Sequence, residues 1–223
     1  MALLTRPLGS TGFEITTVGF GSWAVGGGGW SFGWGPQDDD ASAAAITHAV
    51  ELGITWVDTA AVYGHGHGEE VVGRAVRALP AVSRPLVFTK CGLVWDDADP
   101  MKPASRVVTA ETVRRGAEDS LRRLGLSRID LFQIHWPDAE NRPIEPAWRE
   151  MLKLRDEGCA LLVVSEELEE LFEISDRLLV IAQGRVSPSV LVAEATVAMI
   201  GERMSGLWDA GSAGMSGVGH AQT

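Results

Sequence analysis

Several residue types are scarce in this chain, and each scarcity narrows what the protein can be. Two of the 223 residues are cysteine. Cys91 and Cys159 have neither metal-ligand spacing nor the density of a disulfide scaffold. Both sit beside apolar runs, so they read as small buried residues. No apolar run approaches the roughly 20 residues needed to cross a bilayer. The opening MALLTRPLGSTG lacks the apolar stretch of a signal peptide, so the expected compartment is the cytoplasm, with no membrane partner. Positive charge is also short: 19 Lys and Arg face 30 Asp and Glu, for a net charge of −11. Such a balance argues against nucleic acid or an anionic membrane as a partner. Three lysines (Lys90, Lys102, Lys153) and a single tyrosine, Tyr63, make those positions worth following.

What is present is a hydrophobic content of 45%, enough for one domain with a real core or for two small ones. A short hairpin leading into a strand is expected over 8–23, followed by a glycine- and tryptophan-rich stretch, GGGGWSFGWGP (26–36), that reads as a mobile loop. Then a pattern repeats. DDDASAAAITHAVELG (38–53) has acidic residues in front and a glycine behind, which are helix start and stop signals. TWVDTA (55–60) is a strand, GEEVVGRAVRAL (68–79) a helix, PLVFTKCG (85–92) a strand, and TAETVRRGAEDSLRRLG (109–125) a helix between Thr109 and Gly125. DLFQIHW (130–136) is a strand and EPAWREMLKLRDEG (145–158) a helix with Pro146 in its first turn. Strands alternating with amphipathic helices imply βαβ units and a parallel sheet.

CALLVVS (159–165) supplies a fifth apolar strand, and EELEELFEIS (166–175) a short acidic helix. RLLVIAQGRV (177–186) reads as an antiparallel ribbon turning at Gln-Gly, and TVAMIGERMSGLW (196–208) as an amphipathic helix. Residues 209–223 are small and polar enough to be a disordered tail. The expected fold is therefore α/β: an incomplete (β/α)8 barrel of about five parallel strands over 1–158 and just beyond, then a short α/β segment to 208. A complete barrel of this kind usually needs about 250 residues.

Asp58, Lys90 and His135 fall at or near the C-terminal ends of three consecutive strands, and Tyr63 lies in the loop after the first. In a parallel barrel those ends meet at one face. Singly, each residue has a plainer reading: a turn aspartate, a solvated lysine, a packed tyrosine, a core histidine. Together they make a proton-transfer site. A tyrosine hydroxyl is a poor acid near neutrality unless a nearby ammonium stabilises the phenolate. Lys90 fits that part, with Asp58 holding it charged, and His135 can hydrogen-bond a substrate carbonyl.

The stretches LGSTGFEITTVGFGSW, GITWVDTAAVYGHGHGEEVVGRAV, VFTKCG, SLRRLGLSRIDLFQIHWPD and KLRDEG, in this order and spacing, resemble the aldo-keto reductases over about 3–158. The resemblance implies NADPH-dependent reduction of an aldehyde or ketone, with Tyr63 as general acid, Lys90 and Asp58 as its tuning pair, and His135 orienting the substrate. It also implies cofactor contacts from Ser22, Trp23 and Asp58, and a substrate pocket lined by Trp23, His135 and Trp136. Most of that family's cofactor contacts come from the second half of its barrel, which has no counterpart here.

After KLRDEG the character changes. SEELEELFEISDRLLVIAQGR resembles the tail of the ATP-binding subunit of a sugar- or nucleoside-importing ABC transporter, over about 150–208. LRDEG (154–158) suits both families, which implies a gene fusion across it. No GxxxxGK[ST] loop is present to cradle phosphates; Glu166 and Glu167 fall near that family's switch residue but hydrolyse nothing alone, so ATP hydrolysis is not expected. Three functions follow from the two resemblances: a carbonyl reductase, assembled as a homo-oligomer through the open barrel edge; an inactive fusion remnant or interaction module; and an accessory to an ABC importer.

Overall fold

The computed structural model describes residues 3–9, 11–156, 168, 171–172, 175, 177–183 and 185–208. The chain divides into two units, Met1–Val163 and Val164–Thr223.

The first unit opens with an antiparallel hairpin, β1 (Thr5–Pro7) with β2 (Glu14–Thr16), and then enters its main sheet. Four strands form that sheet: β3 (Phe20–Gly21), β4 (Trp56–Asp58), β5 (Leu86–Cys91) and, after a small antiparallel pair β6 (Leu93–Val94) and β7 (Ser105–Arg106), β8 (Leu131–Ile134). They pair in the order β3-β4-β5-β8, parallel throughout. Helices α1 (Asp39–Glu51), α2 (His67–Ala78) and α3 (Ala110–Leu124) fill the three crossovers, and α4 (Glu145–Asp156) follows β8. Each strand lies beside the one before it in sequence, with no reversal of direction across the sheet. That is the order of a closing βα barrel rather than of a doubly wound sheet.

Local chemistry accounts for the helix limits. The Asp38 carboxylate accepts from Ala41 N at 2.8 Å to cap α1. Thr109 and Thr112 form a reciprocal capping box at the start of α3, and Gly125 ends it in the left-handed region (φ 62°). Buried positions on α3, Val113, Ala117, Ser120 and Leu124, recur every three or four residues, the spacing of one helix face. On α4 the buried face is Ala147, Trp148, Met151 and Leu154.

Strand alternation separates the two sides of the sheet. Val57, Val87 and Thr89 face the helices. Trp56, Asp58, Phe88 and Lys90 face the other way, where Trp56 and Phe88 stack with ring centroids 5.2 Å apart. The Trp56 indole N–H donates to Thr16 O at 2.8 Å, and Thr16 N donates to Thr55 Oγ1 at 2.8 Å. The β1–β2 hairpin therefore covers the N-terminal ends of the strands, leaving their C-terminal ends to carry chemistry. On the helix side, Glu69 of α2 is fully buried and ties three elements together. It accepts from Thr89 Oγ1 of β5 at 2.5 Å and from Arg123 Nε of α3 at 2.7 Å.

In the second unit, β9 (Arg177–Leu178) pairs with β12 (Val190–Leu191) around an inner pair, β10 (Ile181–Ala182) with β11 (Arg185–Val186). Gln183 takes a positive φ of 53° at the turn, as the Gln-Gly dipeptide implies. Helix α5 (Val197–Met204) follows, capped by Thr196. Leu178, Val180, Val190 and Ile200 make the core, with Leu168, Leu171 and Phe172 packed against it.

The four crossover strands and four helices expected from the pattern are present, each within a few residues of its expected limits. The C-terminal helix is shorter than the expected 196–208, because Ser205 and Gly206 turn the chain out of it. The strand expected at 159–165, most of the helix expected at 166–175 and the tail at 209–223 lie outside the described residues. The glycine-rich loop differs from expectation in being pinned. Trp30 is buried, and its indole donates to Gly27 O at 3.1 Å. The β6–β7 pair was not expected at all. Among the described residues no helix is long and apolar enough to cross a membrane.

Candidate active site

Parallel register brings the site together. Asp58 ends β4 opposite Phe88, and Lys90 lies two residues further along β5 on the same face. The Lys90 ammonium spans that diagonal, reaching Asp58 Oδ1 at 2.8 Å and Oδ2 at 2.7 Å. Its third contact is the Thr59 carbonyl at 2.8 Å, so all three ammonium hydrogens have acceptors. Both side chains are mostly covered, 14% exposed for Lys90 and 29% for Asp58, which strengthens the pairing relative to a surface salt bridge.

Tyr63 reaches the same place from the β4–α2 loop, which is wound as successive turns: Tyr63 N donates to Ala60 O, His65 N to Val62 O, and Gly68 N to Tyr63 O. Gly64 makes that path possible. Its φ is +63°, and a Cβ there would stand 2.2 Å from Gly26 O, so no larger residue fits beneath the glycine-rich loop. The Tyr63 ring is held on three sides. Trp23 stacks on it, with centroids 6.0 Å apart and planes 7° apart. His135 meets it edge-on at 5.8 Å, and Lys90 Nζ lies 5.4 Å from its centroid. His135 is itself placed by a 2.9 Å bond from its backbone N–H to Cys91 O, where β8 pairs with β5.

All four residues singled out in the sequence, Asp58, Tyr63, Lys90 and His135, therefore converge. Trp23 joins them directly, and the exposed Trp136 follows His135 in the chain. The electrostatics differ from the sequence expectation in one respect. Burial, and then the Asp58 carboxylate, push the Tyr63 hydroxyl up to about 12, because both oppose a phenolate. Lys90 has its charge matched by Asp58 and lies over the ring. Burial, and then the Lys90 charge, push His135 down to about 4, leaving a neutral imidazole near neutrality. The site thus holds a protonated phenol beside a neutral histidine, a set that can donate a proton to an oxygen gaining negative charge.

Ser22 lies at the end of β3, its N–H donating to Asp58 O at 2.9 Å. Its hydroxyl is buried with no hydrogen-bond partner among the described residues. Among the described residues no group of three or more His, Cys, Asp or Glu side chains could hold a metal ion.

An aromatic collar that the sequence pattern does not show surrounds the tyrosine. Trp30 packs with Ala60, Val62 and Tyr63, and Leu93 and Trp95 press on the same cluster. His65 stacks on Trp95 at 5.1 Å and meets Trp30 at 5.9 Å. Trp34 stands 5.9 Å from Trp23. The signal was visible as tryptophans inside GGGGWSFGWGP, but glycine content there reads first as a loop.

A family model described as "Aldo/keto reductase family" matches residues 17–173, about two thirds of the chain. The chain belongs to the aldo/keto reductase family. Aldo-keto reductase YhdN of Bacillus subtilis is 38% identical over 151 residues, covering 68% of this chain and 43% of that protein. The NADH-specific methylglyoxal reductase of Escherichia coli is 32% identical over 160 residues, covering 68% of this chain and 48% of that protein. Among solved structures, the glycerol dehydrogenase AKR11B4 from Gluconobacter oxydans superposes with a TM-score of 0.66 at 38% identity, covering 79% of this chain and 54% of that one. The chain spans about half the length of the curated relatives it matches. The sheet and helices described above are accordingly part of a (β/α)8-type reductase barrel. The match runs to residue 173 and so carries the reductase family past KLRDEG, where the sequence alone suggested a change of family.

Proposed function

We propose that this aldo/keto reductase chain is an oxidoreductase that reduces an aldehyde or ketone with NADPH, using Tyr63 as general acid. The observation that carries the reading is the convergence of Tyr63 and His135 on the doubly bonded Lys90–Asp58 pair at the C-terminal ends of parallel strands. When bound, the reduced nicotinamide supplies a hydride to the carbonyl carbon. The chain's own residues do the rest. His135, neutral, donates an N–H to the carbonyl oxygen and fixes its direction. Tyr63 hands its hydroxyl proton to that oxygen as it becomes an alkoxide. Lys90 opposes the charge left on the phenolate, and Asp58 keeps Lys90 in place. Ser22, Trp23 and Asp58 are the residues of this chain that would hold the nicotinamide end of the cofactor.

The substrate is a small carbonyl compound, in line with relatives named for methylglyoxal and glycerol. The compartment we assign is the cytoplasm, as the sequence implies. We read the working form as a homo-oligomer joined at the edges of the sheet, because among the described residues β3 and β8 are the edges of the parallel sheet and unpaired edges favour association. We keep the ABC-ATPase resemblance for the C-terminal segment on SEELEELFEISDRLLVIAQGR and the nested ribbon at 177–191, with no ATPase activity assigned to it.

The test is carbonyl-dependent oxidation of NADPH by the whole chain and by Tyr63→Phe. Tyr63→Phe is expected to lose about 100-fold or more in kcat, the usual contribution of a positioned acid. Equal rates in both proteins would remove Tyr63 from the chemistry. No rate in a folded wild-type chain would make the inactive-remnant reading the right one.

A further inference from the structure

The glycine-rich loop holds three large aromatic residues, and one of them, Trp34, has no core to pack into. Trp30 is 5% exposed and anchors the loop, through its core contacts and its bond to Gly27 O. Phe32 meets Trp30 edge-on, and its carbonyl accepts from the Trp23 indole N–H at 3.1 Å. These contacts set the course of the loop. Trp34, four residues after its anchor, is 70% exposed and gains nothing from a core.

Its neighbours make that exposure informative. Trp34, Trp23, Tyr63 and His135 form a continuous row, with successive ring centroids 5.9, 6.0 and 5.8 Å apart. Exposure falls along the row, from 70% at Trp34 to 45% at Trp23 and 9% at Tyr63. Isolated surface aromatics are ordinary, but an apolar patch running continuously into a site with an acid–base pair is a binding surface. Trp23 lies within 7° of the Tyr63 plane, so a flat group stacking on that indole would run parallel to the phenol.

We propose that Trp34 is a specificity-determining residue which, with Trp23, forms an aromatic platform for carbonyl substrates carrying a flat apolar ring within a bond or two of the carbonyl. The inference rests on the reductase reading of the same site and adds the substrate class. With the carbonyl at Tyr63 and His135, the ring covers Trp23 and the near face of Trp34 and removes both from water. Open-chain polar carbonyls reach the acid without touching Trp34.

The platform can be tested without turnover. 2-Phenylacetamide places a ring beside a carbonyl that no hydride reduces, and propanamide lacks the ring. Calorimetric titration of the full chain, with and without NADP+, is expected to show tighter binding of 2-phenylacetamide than of propanamide. Trp34→Ala is expected to weaken 2-phenylacetamide about three- to tenfold, the worth of one aromatic stack, and Trp34→Phe to restore most of the loss. Equal affinity in wild type and Trp34→Ala, or no saturable binding by the folded chain, overturns the proposal. Turnover of phenylacetaldehyde is read separately. Trp34-dependent binding without turnover leaves the platform standing and defeats the reductase reading; turnover with Trp34-independent affinity does the opposite.

Discussion

The chain holds a single tyrosine, so tyrosinate absorbance reports on Tyr63 alone. Burial and Asp58 both hold its proton on, so the folded protein is expected to ionise near 12, above the ordinary value of about 10. The native state then keeps a proton that the unfolded chain has lost, and stability falls as pH rises between those values. Asp58→Asn removes the carboxylate contribution and is expected to lower the midpoint, read by a rapid pH jump before unfolding. A wild-type midpoint at or below 10 contradicts the described burial. His135 has the opposite sign. Its folded value of about 4 lies below the ordinary 6.5, so the stability tied to the neutral imidazole is present above 6.5 and lost as pH falls towards about 4. Thermal melts over that range are expected to fall less steeply in His135→Gln than in wild type. An unchanged slope places the acid sensitivity elsewhere. The positions of these residues were legible because each is either rare in the chain or sits at a strand end. Their mutual tuning was not, since whether Lys90 faces the phenol oxygen or the ring face depends on distances that spacing alone leaves open.

At the scale of elements, the crossover helices and strands were readable from apolar periodicity and from Thr109, Asp38 and Gly125 at helix limits. Two-residue strands such as β6 and β7 carry no periodicity and escaped notice. So did Glu69, which lies at the buried junction of α2, β5 and α3. Removing it strands the Arg123 guanidinium, which is 14% exposed. Glu69→Ala is expected to cost about 3 kcal/mol in urea denaturation, the usual result of breaking a buried pair. A loss below about 1 kcal/mol means that solvent reaches Arg123 more freely than described. The close approach of α2 and α3 has a second marker at Gly73, where a Cβ would stand 2.2 Å from Leu124 O. That neighbour is backbone and cannot swing aside, so Gly73→Ala is expected to destabilise by about 1–3 kcal/mol in the same assay. A neutral result would show that the helices can part at no cost.

For the whole molecule, the question is what pairs with the edges of the parallel sheet. Among the described residues β3 and β8 are the edges of the parallel sheet, and unpaired edges favour association. The mass from sedimentation is expected to rise with protein concentration; a monomer at every concentration contradicts assembly through those edges. The sequence alone suggested a change of family after KLRDEG. The family match to residue 173 shows that the reductase pattern extends past that point. Apolar strands preceded by a helix and glycine look alike in both families, and no residue in CALLVVS distinguishes them. The most direct test of the account is binding of the reduced cofactor, because the proposed chemistry cannot proceed without it. Titrating the folded chain with NADPH while following its eight tryptophans is expected to give saturable quenching in the micromolar range. No binding up to millimolar NADPH would contradict the account and leave the Tyr63 site without its hydride source.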